Sequence, residues 1–463
     1  MNLLIVVAAL AFLMFVAYRG YSVILFAPIA ALGAVFLVDP SLVAPMFTSV
    51  FMEKMVGFVK LYFPVFLLGA LFGKVIELSG FSKSIVLAVS GVVGEKRAIL
   101  SIVTVCALLT YGGVSLFVVA FAVYPFAAEM FRHGNIPKRL IPGTIALGAL
   151  TITMDALPGS PQIQNIIPSA FFKTDTWSAP WLGSIGAVFI VIVGLAYLEW
   201  RRHQAFVAGE GYGDKLVNEP EPFDHDNLPN PLIALLPLVL VGVMNKVFTE
   251  MIPIFYGKMH EMTLAGANKP IATDVSKVMA IWAVEAALLV GILTVLLFAF
   301  KTVTRKFAEG SKMAIGGSML ATMNTASEYG FGAVVAGLPG FLVVADGLKA
   351  IQDPLLNLAI TITSLAGITG SASGGMSIAL AAMADTFIQN AVAAGIPMEV
   401  LHRVAAMASG GMDTLPHNGA VITILAVTGL THRQSYKDIF AITVIKTLAV
   451  FLVIGVFYAS GIV

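Results

Sequence analysis

Charged residues are scarce in this 463-residue chain, and their scarcity excludes an ordinary soluble protein. Only 11% of the residues are Asp, Glu, Lys or Arg, whereas 58% are hydrophobic. Soluble domains carry about 25% charged residues, because polar groups have to cover their surface. The sequence therefore predicts a protein of the lipid bilayer, which accepts this much apolar surface.

Cysteine, excess charge and cofactor motifs are also nearly absent. The single cysteine, Cys106, excludes an intrachain disulfide, and the formal net charge of +1 gives no support for nucleic-acid binding. The sequence has no Walker loop, no nucleophile elbow and no cluster of metal ligands. We therefore expect no enzyme, no bound metal and no cofactor other than a coupling cation.

Apolar runs long enough to cross a bilayer recur along the chain, at about 20 residues per span. Residues 3–17 lack the basic start and the cleavage site of a signal peptide, so we expect a retained first helix. The long polar stretch 200–230 is predicted to be a cytoplasmic linker between two halves. Simple spans are predicted at residues 3–18, 21–38, 56–77, 181–199, 231–249, 278–300, 313–330 and 439–460.

Two segments in each half are interrupted. Residues 98–131 and 355–394 are each too long for one helix and contain a tract of small residues, so we predict re-entrant hairpins. Residues 140–171 and 401–429 each contain an acid followed by a proline, and we predict broken helices. Proline cannot donate a helical hydrogen bond, and glycine allows the backbone to turn tightly.

These interruptions recur in the same order in both halves, with sequence offsets of 262, 260 and 258 residues. Three matches in one order indicate an internal duplication. We predict a first inverted repeat over 1–199 and a second over 231–463. The matched segments are Gly112-Gly-Val-Ser115 with Gly374-Gly-Met-Ser377, Ile136-Pro137 with Ile396-Pro397, and Met154-Asp-Ala-Leu-Pro158 with Met412-Asp-Thr-Leu-Pro416.

The distribution of basic residues predicts the orientation of the chain in the membrane. With the linker in the cytoplasm, about 17 of the 27 Lys and Arg residues lie inside, 9 lie outside and 1 lies within the last helix. Five crossings and one hairpin per half invert the second half relative to the first. The predicted fold is an all-α integral membrane protein of the bacterial inner (plasma) membrane, with both termini on the outer face.

The four interruptions are predicted to meet near the midplane and to form the binding site. Irregular backbone at membrane depth is tolerated only where it is buried in protein or lines a wet cavity. Half-helix N-termini carry a partial positive charge that suits a carboxylate. The predicted substrate-binding residues are Tyr111, Gly112, Gly113, Ser115, Gln162, Asn165, Ser371, Ser373, Gly374, Ser377, His417 and Asn418.

Asp155 and Asp413 occupy matched positions in the two broken helices. A membrane-buried carboxylate costs on the order of a few kcal/mol unless it is paired, hydrated or protonated. Two interpretations stay open: a carrier of the coupling cation, or a cap that accepts backbone N–H groups. Tyr111 and His417 can equally be ligand contacts or packing residues. Glu328, near the outer end of its span, is assigned no role.

At these motifs the chain resembles the gluconate permease family, within the ion-transporter superfamily of hairpin-containing carboxylate carriers. The resemblance covers nearly the whole chain. It implies proton-linked import of sugar acids or related hydroxy acids, and an elevator mechanism with a scaffold domain and a mobile transport domain in a dimer. It is carried by the Tyr111 tip, the Pro158/Pro161 break, the Gly370-Ser-Ala-Ser373 tip and the Pro416 break.

Departures from the family pattern bear on the substrate. Gluconate permeases have an acid where this chain has Gly112, and their breaks contain histidines that are replaced at 153–161 and 412–416. The branch looks more like 3-hydroxybutyrate-type permeases, which favours a short hydroxy-monocarboxylate and H⁺ coupling. A sugar acid and Na⁺ coupling remain alternatives. A channel would need a continuous pore rather than paired breaks.

Overall fold

Helices make up nearly all of the computed structural model, as the composition predicts. The structure describes residues 2–19, 21–94, 97–114, 116–213, 217–220, 228–265, 269–341, 343, 347 and 351–463.

The first half contains ten helices among these residues. The α4 helix is preceded by a 3₁₀ turn at Pro40–Leu42 and a π-helical turn at Phe47–Met52. The ten helices are α1 (Asn2–Tyr18), α2 (Val23–Val38), α3 (Val43–Met46), α4 (Glu53–Leu78), α5 (Phe81–Val93), α6 (Ala98–Tyr111), α7 (Leu116–His133), α8 (Ile141–Ala149), α9 (Ile163–Phe172) and α10 (Pro180–Val207).

The second half follows the linker. A two-stranded antiparallel ribbon, β1 (Met259–Met262) and β2 (Ile271–Asp274), connects its first two helices. The described helices of this half are α11 (Pro231–Tyr256), α12 (Val275–Thr304), α13 (Phe307–Ala336), α14 (Pro354–Thr369), α15 (Ala372–Ala393), α16 (Met398–Ser409), α17 (Gly419–Thr428) and α18 (His432–Ser460).

Six helical segments of the described chain are long and apolar enough to cross a membrane. The confirmed fold class is therefore a nearly all-helical, multi-pass membrane protein. The helices α3 and α5 were not predicted. The first has only four residues, and α5 is only 13 residues long, with serines and a lysine that interrupt the hydropathy. At 1.5 Å per residue α5 is about 20 Å long, which is too short for a span of about 30 Å. The six segments are Pro40–Leu78, Pro180–Val207, Pro231–Tyr256, Val275–Thr304, Ala372–Ala393 and His432–Ser460.

Two helical hairpins lie where the small-residue tracts occur. The first is formed by α6 and α7, and the second by α14 and α15. The entering arms have 14 and 16 residues, or about 21 and 24 Å, and are therefore shorter than a bilayer core of about 30 Å. Gly113 (φ 95°) and Gly370 (φ 64°) occupy the left-handed region at the two tips, where a side chain would be strained.

Two interrupted helical segments follow the hairpins. In the first half, α8 ends at Ala149, a π-helical turn spans Ile152–Ala156, and α9 begins at Ile163. In the second half, α16 ends at Ser409 and α17 begins at Gly419. The helix boundaries agree with the interruptions expected at the two Met-Asp-x-Leu-Pro motifs. The inverted relation of the two halves stays a prediction.

The helices pack in two groups. In the first group, α4 packs against α13 and α12, and α12 packs against α11. In the second group, the hairpins and interrupted helices pack across the two halves, with α7 on α17, α9 on α16, and α8 on α18. The second hairpin also contacts the first group, because α15 packs on α13. The tips and breaks therefore lie inside the molecule. Some of them lie between the two groups of helices, and others lie within a group.

Candidate functional site

The tip of the first hairpin contacts the first break, which is the interruption between α8 and α9; the second break is the interruption between α16 and α17. The hydroxyl of Tyr111 donates a hydrogen bond to the Pro158 carbonyl at 2.9 Å. The side-chain amide of Gln162 donates to the Thr110 carbonyl at 2.8 Å. A Cβ at Gly113 would lie 3.4 Å from the Pro161 ring. Tyr111, Gly113 and Gln162 are thus brought together as the sequence predicted, and they fix the tip to the break.

The tip of the second hairpin contacts the second break in a similar way. The Asn418 Nδ2 group donates to the Gly370 carbonyl at 2.8 Å. The Oδ1 atom of the same residue accepts hydrogen bonds from Ala420 N (2.7 Å) and Val421 N (3.0 Å), and so caps α17. The ring of His417 packs on Gly370, where any Cβ would overlap with it. His417 and Asn418 thus lie at the tip.

The two tip-to-break contacts use corresponding residues. Gln162 and Asn418 directly precede α9 and α17, the helices that begin after the breaks. Each donates its side-chain amide to a carbonyl of the tip in its own half. Their offset of 256 residues continues the drift of the three sequence matches. A shared role in tying the tip to the break accounts for an amide side chain at both positions.

Four buried Asp, Lys and Arg side chains surround the two breaks: Asp155, Asp413, Lys446 and Arg403, with exposed fractions between 0% and 3%. Lys446 Nζ lies 2.5 Å from Asp413 Oδ1 and donates to the Leu150 carbonyl at 3.1 Å. A lysine of the second half is therefore bound to the acid of its own break and to the start of the first break. With all four groups ionised, the two negative charges and the two positive charges sum to zero.

Asp155 differs from Asp413 in its contacts. Within the part of the chain that the structure describes, Asp155 Oδ2 has no hydrogen-bond donor although it is buried. It lies directly on the backbone of Gly410, so that a Cβ at that position would overlap with the carboxylate. The structure therefore gives Asp155 Oδ2 no capping N–H, and it gives Asp413 a lysine partner.

Arg403, on α16, holds the two breaks together. Its Nη1 atom donates to Asn165 Oδ1 at 2.9 Å and to the Asp155 carbonyl at 3.2 Å. Its Nε and Nη2 atoms donate to the Ser178 carbonyl at 3.1 and 2.8 Å, and Nη2 also donates to the Thr176 carbonyl at 3.3 Å. Oxygen atoms of the protein accept the hydrogen bonds of the guanidinium group. Arg403 therefore acts here as a structural connection between the halves.

Asn165 is part of the same structural connection. Its Nδ2 atom donates to the carbonyls of Ser160 and Thr176, both at 2.9 Å, and the residue is fully buried. His402 Nε2 approaches the Asn165 carbonyl at 3.1 Å, and its Nδ1 approaches Thr174 Oγ1 at 2.7 Å. The predicted ligand role of Asn165 finds no support in these contacts, because protein groups already use its amide.

The serines that were predicted to bind substrate have different surroundings in the structure. The Ser371 hydroxyl accepts from Gly374 N at 3.0 Å and caps α15. Ser373 Oγ lies 3.3 Å from Thr325 Oγ1 on α13. The buried hydroxyl of Ser377 has no partner among the described residues. Gly112 packs on Leu238, and Ser115 lies outside the described residues.

Sequence reasoning missed Arg403, Lys446 and Glu328. Hydropathy alone marks Lys446 only as the basic residue within the last helix, and it gives Glu328 no role. The signal was nevertheless present, because an ionisable residue inside an apolar span indicates a functional or structural partner. What the sequence did not reveal was the partner of each group.

An open cavity of about 400 Å³ adjoins the first tip and the first break. Tyr111, Thr153, Pro158 and Trp177 line one side of it, and apolar side chains of α6 and α10 line much of the rest. Because no cationic side chain lines this cavity, it lacks a charge partner for a carboxylate.

Comparisons with known proteins identify the family. No protein-family model matches the chain. Over 472 aligned residues the chain is 58% identical to YxjC of Bacillus subtilis (strain 168), an uncharacterized transporter, and the match covers 100% of both proteins. The chain belongs to the YxjC transporter family. The YxjC relationship and the apolar helices together make it a multi-pass membrane transporter.

Similar chains also occur among solved structures. The crystal structure of the YdaH transporter of Alcanivorax borkumensis matches 92% of this chain and 90% of its own, with a TM-score of 0.46 and 16% sequence identity.

Proposed function

We propose that this member of the YxjC family is a cation-coupled importer of a small hydroxy-carboxylate, with 3-hydroxybutyrate as the leading substrate and H⁺ as the leading coupling ion. The resemblance to the gluconate permease family supports this class of substrate. A sugar acid such as gluconate and coupling to Na⁺ are the alternatives. The proposed setting is a bacterial inner membrane, with a homodimer as the working assembly.

The observation that carries the proposal is the convergence of each tip with its own break. Four helices begin at these interruptions, namely α7, α9, α15 and α17. Helix N-termini attract anions through their free N–H groups and their partial positive charge. Hydroxyl groups at the second tip, including Ser373 and Ser377, are suited to the hydroxyl of the substrate. A carboxylate with a nearby hydroxyl is therefore the ligand class that fits these groups.

The coupling cation is assigned to the acids of the breaks. Asp413 is neutralised by Lys446 at 2.5 Å, whereas Asp155 Oδ2 is buried without a donor among the described residues. A buried carboxylate needs a hydrogen-bonding or charged partner. Binding a proton therefore stabilises an acid that has no donor more than an acid that already has a partner. We therefore place the coupling proton at Asp155 first and assign Asp413 to the charge balance with Lys446.

The packing supports an elevator-type cycle. Helices α4, α11, α12 and α13 form one packed group and are assigned to a scaffold domain. The hairpins and interrupted helices form the other group and are assigned to a transport domain that carries the site across the membrane. Lys446 binds both breaks, and Arg403, on the helix before the second break, binds the first, so these residues would keep the breaks together during this motion.

Uptake by purified protein in proteoliposomes tests the proposal. We expect saturable uptake of 3-hydroxybutyrate that rises above the external concentration when an inward proton gradient is imposed. Gluconate and acetate are run as competitors, and a Na⁺ gradient is imposed separately at constant pH. Uptake that does not saturate, or that only equilibrates downhill under both gradients, would favour a channel and contradict the proposal.

A binding measurement on detergent-purified protein complements uptake. A ligand that binds only the folded state raises the melting temperature, by an amount that grows with its concentration relative to its Kd. We expect the transported hydroxy-carboxylate to raise the melting temperature more than acetate does, because acetate lacks the hydroxyl group. Equal shifts for both compounds would contradict recognition of the hydroxyl.

A further inference from the structure

Glu328 on α13 is a buried carboxylate that faces the tip of the second hairpin. Only 3% of the residue is exposed. Its Oε2 atom lies 3.5 Å from the Ser371 hydroxyl, and a Cβ at Gly374 would overlap with its carboxyl group. The carboxyl group is therefore pressed against the first turn of α15, where the hairpin turns.

The same face of α13 continues along the start of α15. Thr325, one turn before Glu328, places its hydroxyl 3.3 Å from Ser373 Oγ. Gly332, one turn after Glu328, lies against Ile378, where a Cβ would meet the Ile378 backbone at 2.7 Å. Residues three and four apart share a helix face, so these contacts form one continuous interface. Glu328 is the ionisable group within it.

Glu328 has no cationic partner in the described part of the chain. The salt-bridged pairs there include the buried carboxylates Asp413 and Asp438, but neither Glu328 nor Asp155. Helices α2 and α14 carry no ionisable side chain, and the nearest acid on α15, Asp385, is eleven residues beyond Gly374. Tyr329 follows on α13 itself, and His417 packs on Gly370 at the same tip. No salt bridge of the described chain joins Glu328 to a lysine of α4, whose charged residues are Glu53, Lys54, Lys60, Lys74 and Glu77.

These neighbours suit a carboxyl group that gains and loses a proton. An ionised carboxylate is costly to bury without a cation, whereas a neutral carboxylic acid has a donor of its own. The Ser371 hydroxyl can donate to the ionised group or accept from the neutral acid, and it already accepts from Gly374 N at 3.0 Å. The N-terminus of α15 favours the ionised form, so both protonation states have a local stabilising contact.

We propose that Glu328 is a second proton-binding site, which the tip of the second hairpin covers in this conformation. Its link to transport rests on the proposed function. Glu328 belongs to the packed group that contains α4, and the tip belongs to the group that contains the breaks. A movement of the tip relative to α13 would uncover the carboxyl group, so proton binding at Glu328 depends on the position of the tip.

The first test replaces Glu328 with glutamine and compares it with a matched control. Glu285→Gln makes the same chemical change at a half-buried glutamate on α12, outside both α13 and the second hairpin. Substrate counterflow and uptake driven by a proton gradient are measured for both variants. We expect Glu328→Gln to retain counterflow but to lose at least tenfold in proton-driven accumulation, with a flattened pH dependence of exchange. Glu285→Gln is expected to behave like the wild type.

Several results would overturn the proposal. Glutamine keeps the shape of the side chain and the Ser371 contact, so a purely structural role predicts wild-type coupling in Glu328→Gln. An equal loss in Glu285→Gln, or accumulation driven by Na⁺ alone and lost in Glu328→Gln, would also reject a proton site at Glu328. If Glu328→Gln does not yield monodisperse protein, Glu328→Asp is used. It should accumulate substrate with a shifted pH midpoint, and a wild-type pH profile would reject the proposal.

A second measurement does not depend on transport. Infrared titration of purified protein should show a protonated carboxyl component that is lost in Glu328→Gln and persists in Glu285→Gln. It is distinct from the component of the proposed proton at Asp155, which Asp155→Asn removes. If the wild type transports none of the carboxylates but the Glu328 component behaves in this way, the proposed function fails while the proton site stands. An unchanged component in Glu328→Gln would overturn the proton site whether or not the protein transports.

Discussion

The two breaks share the Met-Asp-x-Leu-Pro motif, yet their aspartates lie in different surroundings. Asp413 is bound to Lys446 at 2.5 Å. Asp155 has a carboxylate oxygen with no donor among the described residues. The tips differ as well, since Gly113 packs on Leu288 and the second tip packs on Glu328. A repeated motif thus interrupts a helical segment in both halves, while the packed neighbours give each copy its own chemistry.

The largest expected effect comes from removing the lysine that distinguishes the two breaks. Lys446→Met should leave Asp413 buried without its cation and destabilise the protein by about 3–5 kcal/mol. Thermal unfolding of purified protein, followed by size-exclusion chromatography, measures this loss. The double variant Lys446→Met/Asp413→Asn should recover much of it, because neither charge remains. A double variant less stable than the single one would contradict the pairing.

A smaller effect on stability, but a specific one on coupling, is expected at the first break. Asp155→Asn should change stability by less than about 1 kcal/mol, because the replaced oxygen has no donor to lose. The variant should still exchange substrate while losing uphill uptake, since an amide cannot carry a proton. Asp413→Asn is the comparison and should chiefly lower the melting temperature, because it leaves Lys446 unpaired.

Uphill accumulation at the wild-type level in Asp155→Asn would remove the coupling role from that residue. Equal melting temperatures for Asp155→Asn and Asp413→Asn would show that the two aspartates do not differ in the way their contacts indicate.

The amide contacts of the two tips offer a third comparison. Asn418→Ala loses the tip contact and the cap of α17, so we expect a destabilisation of about 2 kcal/mol. Gln162→Ala loses the tip contact alone and should cost about 1 kcal/mol. Urea or thermal unfolding in detergent ranks the two variants. A larger loss in Gln162→Ala would show that the cap of α17 adds little.

The smallest effect is expected where the first half meets the linker. Arg139, just before α8, binds Glu210 at 2.6 Å, and this hydrogen bond lowers the pKa of Glu210. Because the pKa in the folded state is lowered, the stabilisation is present at neutral pH and is lost as pH falls through the folded-state pKa. Glu210 is partly exposed, so its contribution is below about 1 kcal/mol.

Melting temperatures of Glu210→Gln and the wild type at several pH values check this prediction. The difference should be small at pH 7, shrink with added salt, and vanish once the pH falls below the lowered folded-state pKa of Glu210. A difference that grew as the pH was lowered would contradict it.

Several features followed from sequence because their causes are local. Apolar runs predicted the long helices α10, α11, α12 and α18, since a bilayer span needs a continuous apolar stretch. Glycine tracts and Pro158 marked the ends of helical segments, because these residues restrict or free the backbone wherever they occur. The α5 helix escaped prediction because Ser82, Lys83 and Ser84 reduce its hydropathy.

The sequence by itself determined a helical membrane protein with interruptions at matched positions, because hydropathy and backbone constraints act over a few neighbouring residues. Only the tertiary structure decided which interruption meets which partner. Lys446 reaches Asp413 across 33 positions, and Arg403 reaches the Asp155 carbonyl across 248. Such partners depend on how distant helices pack, and the energy of a buried charge depends on its partner. Glu328 therefore became a candidate only when packing placed it against Gly374.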